Sequence, residues 1–153
     1  MKINIIEYTP ELSIYFRKLN EEWLQKYFVV EEYDESLFAR PEKIIEDGGR
    51  IFFAQNDHNE IIATASLIKE ENTFELAKMA VTEAYKGKGI GNVLMEYCIN
   101  EARKLGAEKI FLVSNKNLTP ALNMYKKYGF IEVAMEMENN PYQRGDIKME
   151  LSL

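Results

Sequence analysis

Three glycines alternate with two lysines between Lys86 and Gly91, where the sequence reads KGKGIG. The apolar residues before this segment predict a strand, and the pattern after it predicts a helix. In such a turn, backbone N–H groups converge at the N terminus of the helix, where the helix dipole also favours negative charge. Glycine lets a ligand approach the backbone and permits positive φ angles. The segment is therefore predicted to bind phosphate.

Two common phosphate-binding loops fit this segment poorly. A Walker loop requires Ser or Thr after its Gly-Lys pair to hold magnesium, but Lys88 is followed by Gly89. A dinucleotide-binding loop would place its third glycine where Asn92 stands, and it would open the first strand and helix of the fold. The acidic residue that such a loop requires about 20 positions on is also missing near residues 109–113. Both alternatives are therefore disfavoured.

The segment instead resembles the pyrophosphate loop of the GNAT superfamily of acyl-CoA-dependent N-acyltransferases. That loop has the pattern Gln/Arg-x-x-Gly-x-Gly/Ala, and lysine takes its first position here. A second block, from Pro120 to Phe130, resembles the family's Ala-x-x-x-Tyr-x-x-x-Gly-Phe segment. The two blocks follow the family's order and separation. The resemblance implies transfer of an acetyl group from acetyl-CoA to a primary amine by direct attack in a ternary complex. The alternative is an acyl-CoA-binding sensor without turnover.

The resemblance also implies which residues contact acetyl-CoA. Backbone groups of Met79, Ala80 and Val81 would hold the pantetheine arm, with an N–H near Met79 or Ala80 as the oxyanion donor. The pyrophosphate would lie on Lys86, Gly87, Lys88, Gly89, Ile90, Gly91 and Asn92. Asn123 is a further candidate for the pantetheine arm. Asn117 is another candidate, one position away from the family's asparagine, where this chain has Leu118.

Acyl transfer to an amine requires a base, because an amine of the lysine type is mostly protonated at pH 7. The resemblance implies that Glu75 is this base, since histone-type members carry a glutamate at this position of the strand. The alternative for Glu75 is a solvated carboxylate near a strand end. The period of two along a strand predicts that Glu75 shares a face with Ala77, Met79 and Val81. Other members carry their base where this chain has Val113.

The departing thiolate benefits from a proton, and the resemblance implies that Tyr125 supplies it. A phenol with a pKa near 10 can protonate a thiolate as it leaves. The alternative for Tyr125 is a core aromatic on the apolar stripe of its helix. Three other conspicuous residues are predicted to have no chemical role: Trp23 and Cys98 as core residues, and His58 as an exposed turn residue.

The surrounding elements predict a mixed α/β fold in one domain, residues 1–153. Strands are predicted over 2–8, 50–55, 61–69, 74–81, 109–113, 130–137 and 145–151, and helices over 10–27, 41–46, 90–105 and 119–128. The start of the second helix is left open as far back as Glu35. The resemblance implies a mostly antiparallel sheet of six to seven strands, flanked by helices and splayed between its fourth and fifth strands.

Composition narrows the partners and the compartment. The net charge of −6 argues against a general affinity for nucleic acid. We expect no association with a membrane, because no run of about 18 apolar residues and no signal peptide are found. The single cysteine excludes an intramolecular disulfide and fits a reducing cytoplasm. The expected partners are acetyl-CoA and an amine acceptor, with no metal, and a homodimer is left open.

The acceptor is not identified by the sequence. The acidic run from Val29 to Glu35 is interpreted as solvated charge in a segment that borders the acceptor site in the family. With the aromatic residues Tyr27, Phe28, Tyr33 and Tyr142, it could form a cleft for a cationic amine. A polyamine, an aminoglycoside, and a lysine or N terminus of a protein all remain open.

Overall fold

The structure, a computed structural model, describes residues 2–136 and 140–153. Its strands form one seven-stranded sheet in the order β1-β2-β3-β4-β5-β7-β6. The strands are β1 Asn4–Glu7, β2 Arg50–Gln55, β3 Ile61–Glu70, β4 Thr73–Val81, β5 Lys109–Ser114, β6 Ile131–Val133 and β7 Ile147–Ser152. The helices are α1 Ser13–Tyr27, α2 Glu32–Ala39, α3 Glu42–Glu46, α4 Ile90–Lys104 and α5 Thr119–Lys127. Short 3-10 turns span Pro10–Leu12 and Glu83–Tyr85.

The sheet separates two hydrophobic cores, one on each face. Along β2, the side chains of Phe52 and Ala54 pack into the core beneath α4 and α5, whereas Ile51 and Phe53 pack into the core beneath α1, α2 and α3. This alternation is the period of two that a strand imposes on its side chains. Cys98 is fully buried in the first core, and His58 is exposed in the turn between β2 and β3, as predicted.

The fourth and fifth strands diverge along most of their length. They pair in parallel only where Thr73–Glu75 of β4 lies beside Lys109–Phe111 of β5, while every other neighbouring pair in the sheet is antiparallel. Beyond Glu75 the two strands separate, and backbone groups of both are free to meet a ligand. The mixed α/β fold and its splay between the fourth and fifth strands are thereby confirmed.

A β-bulge interrupts β4 at Lys78, whose φ angle is +55°. Between two regular pairs, Lys78 and Met79 together lie opposite Ala65 of β3. The extra residue shifts the alternation of side chains by one position. Met79 and Val81 therefore pack against the core beneath α4, on the opposite face from Glu75. The prediction that these two residues share a face with Glu75 is wrong for this reason.

Other boundaries differ from the predicted ones in small, explicable ways. The helical segment before Glu46 is divided into α2 and α3, because Arg40 precedes a proline and leaves the helical conformation (φ −147°, ψ 76°). The strand predicted over 130–137 is shorter, ending at Val133, and Met137 lies outside the described residues. Within the described residues, no helix has the length and hydropathy needed to cross a membrane.

Candidate active site

The divergence of β4 and β5 opens a cavity that brings the two predicted catalytic residues together. Glu75 of β4 and Tyr125 of α5 both line it. One side is closed by Trp23 and Leu24 of α1 and by Phe28, which follows the helix. The Glu75 side chain points to the face covered by α1 and α2, whereas α5 lies on the other face of the sheet. The two side chains therefore approach the cavity from opposite faces, through the gap between the strands.

Glu75 is a buried carboxylate, with only 6% of its surface exposed, so the interpretation as a solvated strand end is wrong. Burial raises its pKa to about 7, Lys78 and Lys148 oppose this rise, and Glu70 adds to it. No hydrogen bond from the described residues contributes to this shift. Near neutral pH the carboxylate can therefore both accept and release a proton, as a general base must.

This raised pKa predicts that Glu75 makes folding stability depend on pH. Its pKa in the folded protein, about 7, lies above the unfolded value of 4.5, so the folded state binds the proton more tightly. The contribution of the protonated group is complete below pH 4.5 and disappears as the pH rises through 7. Relative to Glu75→Gln, the native protein should lose about 3 kcal/mol of stability over this interval, at about 1.36 kcal/mol per unit of pKa.

Urea unfolding of both proteins at pH 5 and pH 8 measures this difference. Glu132→Gln, which changes an exposed carboxylate on β6, serves as the matched control and should follow the native protein at both pH values. A difference between Glu75→Gln and the native protein that does not change with pH would contradict a buried, titrating carboxylate at this position.

Tyr125 contributes a protonated hydroxyl to the same cavity. Burial raises the pKa of this phenol, and a hydrogen bond with the Ser114 side chain partly opposes the rise. Its ring packs near that of Phe130, at a centroid distance of 6.1 Å. The ring is thus part of the core beneath α5, while the hydroxyl stays protonated at neutral pH and remains available as an acid.

A second cavity lies at the glycine-rich loop and adjoins the first. Gly87 and Gly89 have φ angles of +75° and +81°, which glycine adopts without strain. α4 begins at Ile90, and no side chain of the described residues caps its N terminus. The first N–H groups of the helix are therefore free to bind an anion. Trp23 and Met79 line both cavities, so one extended ligand can reach from the loop to Glu75.

Most of the predicted cofactor residues line this second cavity. They are Met79, Ala80, Val81, Lys86, Gly87, Gly89, Ile90, Gly91 and Asn92. Lys88, Asn117 and Asn123 are exposed and line neither this cavity nor the catalytic one. Trp23, predicted as a core residue, is only partly buried, because it stands where the two cavities meet.

Sequence reasoning overlooked Asn115, which lines the catalytic cavity. Its Nδ2 donates to the Arg144 carbonyl at 2.8 Å, and its Oδ1 accepts from the Asn117 N–H at 2.9 Å. This last hydrogen bond closes a local turn of the kind that asparagine favours, and the two asparagines, two positions apart, can be seen in the sequence. Of the two asparagines in this turn, Asn115 lines the catalytic cavity and Asn117 does not.

We expect Gly91→Val to weaken acetyl-CoA binding by about 10-fold or more, because its side chain would occupy the place of the pyrophosphate. Unlike Gly89, Gly91 has an ordinary φ angle, and a Cβ there would meet only Met124 Sδ at 3.7 Å. The fold should therefore tolerate the change. Calorimetry with acetyl-CoA measures the effect, and Asn100→Val, at an exposed position of the same helix, is the matched control. Unchanged affinity in folded Gly91→Val would contradict the assignment of the loop.

Charged residues form a buried cluster beside the catalytic cavity. The Asp34 carboxylate is fully buried, contacts Lys78 Nζ, and accepts two hydrogen bonds of 2.8 Å from the Arg144 guanidinium. Arg144 also pairs with Glu31 at 3.0 Å. Burial would raise the pKa of Asp34, but the hydrogen bonds from Arg144 and the charge of Lys78 lower it to about 2. The interpretation of the acidic run as solvated charge is wrong for both of these acidic residues.

A sheet that splays beside a glycine-rich loop, with a buried carboxylate and a tyrosine in the gap, is the arrangement that the resemblance to acyl-CoA-dependent transferases implies. The model of the Acetyltransferase (GNAT) family matches residues 17–130, which is most of the chain. The chain therefore belongs to this family and is an N-acetyltransferase.

Individual relatives agree with this assignment. The uncharacterized N-acetyltransferase YvbK of Bacillus subtilis is 33% identical over 105 residues, which are 65% of this chain and 67% of that protein. Other curated acetyltransferases match over only 19% to 35% of their own length. A GNAT acetyltransferase from Staphylococcus aureus Mu50 superposes with a TM-score of 0.88 at 22% identity, covering 99% of both chains.

A PaiA N-acetyltransferase from Thermoplasma acidophilum, solved in complex with coenzyme A, has the same fold. It superposes with a TM-score of 0.78 at 21% identity and covers 100% of both chains.

Proposed function

We propose that this protein transfers the acetyl group of acetyl-CoA to a primary amine by direct attack in a ternary complex. The observation that supports this most strongly is the shared cavity of Glu75 and Tyr125, which adjoins the cavity of the glycine-rich loop. A donor bound along both cavities would present its thioester between a base and an acid. That arrangement supplies a base for the ammonium group and an acid for the departing thiolate.

In this proposal, each residue acts at one stage of the reaction. The loop from Lys86 to Asn92 binds the pyrophosphate, and backbone groups of Met79 to Val81 hold the pantetheine arm. Glu75 accepts the proton of the ammonium group, either directly or through water. The free amine then attacks the thioester carbonyl, and an N–H near the β4 bulge stabilises the oxyanion. As the C–S bond breaks, Tyr125 donates its proton to the thiolate. The former amine nitrogen loses its second proton, which returns through solvent to the Tyr125 oxygen, and an amide and free CoA result.

The environment of Glu75 favours the enzyme over a sensor that binds acyl-CoA without turnover. A buried carboxylate without a hydrogen-bond partner in the described residues costs stability, because burial disfavours its charged form. A sensor would gain nothing from such a group at this place, whereas a transferase uses its raised pKa.

An acetyl-CoA-dependent screen of amines tests the proposal. Free CoA and the acetylated product are both measured by mass spectrometry, with a no-amine control. We expect release of CoA that depends on the amine and matches the product in amount. Acetyl-CoA binding in calorimetry with no amine-dependent release across amino acids, polyamines, aminoglycosides and peptides would instead support the sensor.

A further inference from the structure

The wall of the catalytic cavity carries charges of both signs. Among the described residues that line it, the charged ones are Glu75, Lys78 and Arg144. The acidic partners of the two cations, Asp34 and Glu31, do not line the cavity. Asp34 is fully buried, and the side chain of Glu31 is 14% exposed. A molecule inside the cavity therefore meets one titrating carboxylate and two cations.

Of the four aromatic residues that were expected to form a cleft, Phe28 and Tyr142 line the cavity, whereas Tyr27 and Tyr33 do not. Lys78 Nζ and the Arg144 guanidinium already lie 4.5 Å and 4.4 Å from the centre of the Tyr142 ring. Tyr33 packs edge-on against Tyr142 at a centroid distance of 5.2 Å and does not line the cavity. Tyr27 is exposed, beside Lys26 and away from the cavity.

The acidic run therefore adds no carboxylate to the described lining of the cavity, and the Tyr142 ring is already in contact with two cations of the protein. A polyamine in the cavity would find Glu75 as its only carboxylate among the described lining residues, and it would face Lys78 and Arg144 at close range. These two cations would repel the polyamine, although Asp34 and Glu31, which contact them, offset part of that repulsion.

We infer that the acceptor carries a carboxylate close to its amine, as an amino acid does, with that carboxylate against Arg144 and the amine against Glu75. This inference rests on the proposed function. The cavity has a negative group and positive groups on its wall, which complement the two charges of an amino acid. The Arg144 side chain is 13% exposed and can be contacted directly, whereas Lys78, at 3%, acts mainly through its field.

The rest of the wall indicates the side chain of such an acceptor. Part of the cavity wall is apolar. This part is formed by Trp23 and Leu24 of α1 and by Phe28, at the C-terminal end of the helix. Apolar side chains would gain free energy by leaving water for this surface. The chemistry of the site therefore fits a small amino acid with an apolar side chain.

Matched acceptors measure how much the carboxylate contributes to kcat/KM, apart from the contribution of the side chain. Leucine, methionine and phenylalanine are each compared with their amide and with the amine that lacks the carboxylate, and spermidine is added as a polycation. We expect kcat/KM to be about 10- to 100-fold higher for the acid than for its amide, the range typical of a hydrogen bond to a charged group. The amine of the amide is less basic, so a larger fraction of it is unprotonated at neutral pH. This difference favours the amide, and a preference for the acid therefore cannot come from the amine itself.

A binding measurement distinguishes failure of this inference from failure of the proposed function. Calorimetry on the protein saturated with CoA compares the binding of each acid with that of its amide. Tighter binding of the acid without any turnover would contradict the proposed function and leave the carboxylate site in place. Equal binding of acid and amide, or better turnover of spermidine, would overturn the inference.

A variant of Arg144 tests the assigned contact. Arg144→Lys keeps the positive charge that Asp34 requires but loses the guanidinium N–H groups that are not already bonded to Asp34 or Glu31, so the ratio of acid to amide should fall about 3- to 10-fold. Arg17→Lys, in a surface pair with Glu35 on α2, should leave this ratio unchanged. Affinity for acetyl-CoA should be native in both variants. An unchanged ratio in Arg144→Lys would contradict the contact.

Discussion

Glu75→Gln should lower turnover by about 100-fold or more at pH 7, with an acceptor whose amine has a high pKa. Glutamine keeps the size and polarity of the side chain but cannot accept a proton. In the native protein, activity should rise with pH through the pKa of Glu75, about 7, because only the carboxylate form acts as a base. The variant should lack this rise and should gain activity only as the amine itself loses its proton. The deficit should therefore shrink as the pH approaches the pKa of the amine.

Pre-steady-state measurement of the chemical step from pH 6 to pH 10 gives both profiles. Glu132→Gln, on the exposed edge strand β6, serves as the control and should retain the native profile. A deficit of constant size at every pH would indicate that Glu75 supports the structure of the cavity, and the role as base would be wrong.

Tyr125→Phe should lower the rate of acetyl transfer by about 10- to 1000-fold while leaving the protein folded. Phenylalanine keeps the ring that packs near Phe130, so most of the buried area is retained. The cost in stability should be about 1 kcal/mol, since the hydroxyl loses its hydrogen bond with Ser114. Acid catalysis depends on the hydroxyl alone.

The matched control is Tyr97→Phe, which removes a hydroxyl from a tyrosine of α4 that lines neither of the two cavities. Its ring packs against Phe52 at 5.0 Å, so this variant removes the same atom from a tyrosine outside the site. Normal turnover of Tyr125→Phe under conditions where chemistry limits the rate would return Tyr125 to a purely structural role.

The sequence by itself determined those features of the protein that depend only on residues adjacent to one another in the chain. The glycine-rich loop is an example, because the positive φ angles of Gly87 and Gly89 follow from residue type and the free N–H groups follow from the helix that starts at Ile90. The alternation along β2, whose predicted bounds are those observed, is another. The fold class could be predicted for the same reason, because the periods of strands and helices are local properties. The family resemblance also rested on two short motifs.

The tertiary structure decided the burial and the charge of the catalytic cavity. Nothing adjacent to Glu75 in the sequence indicates that it is buried, because the covering helices come from other parts of the chain. The bulge at Lys78 reversed the alternation that a regular strand would have continued. Asp34 looked like one member of a solvated acidic run, but its partners Lys78 and Arg144 lie 44 and 110 positions away. A charge becomes buried only when folding brings such distant partners within hydrogen-bond distance, and a local pattern cannot report those contacts.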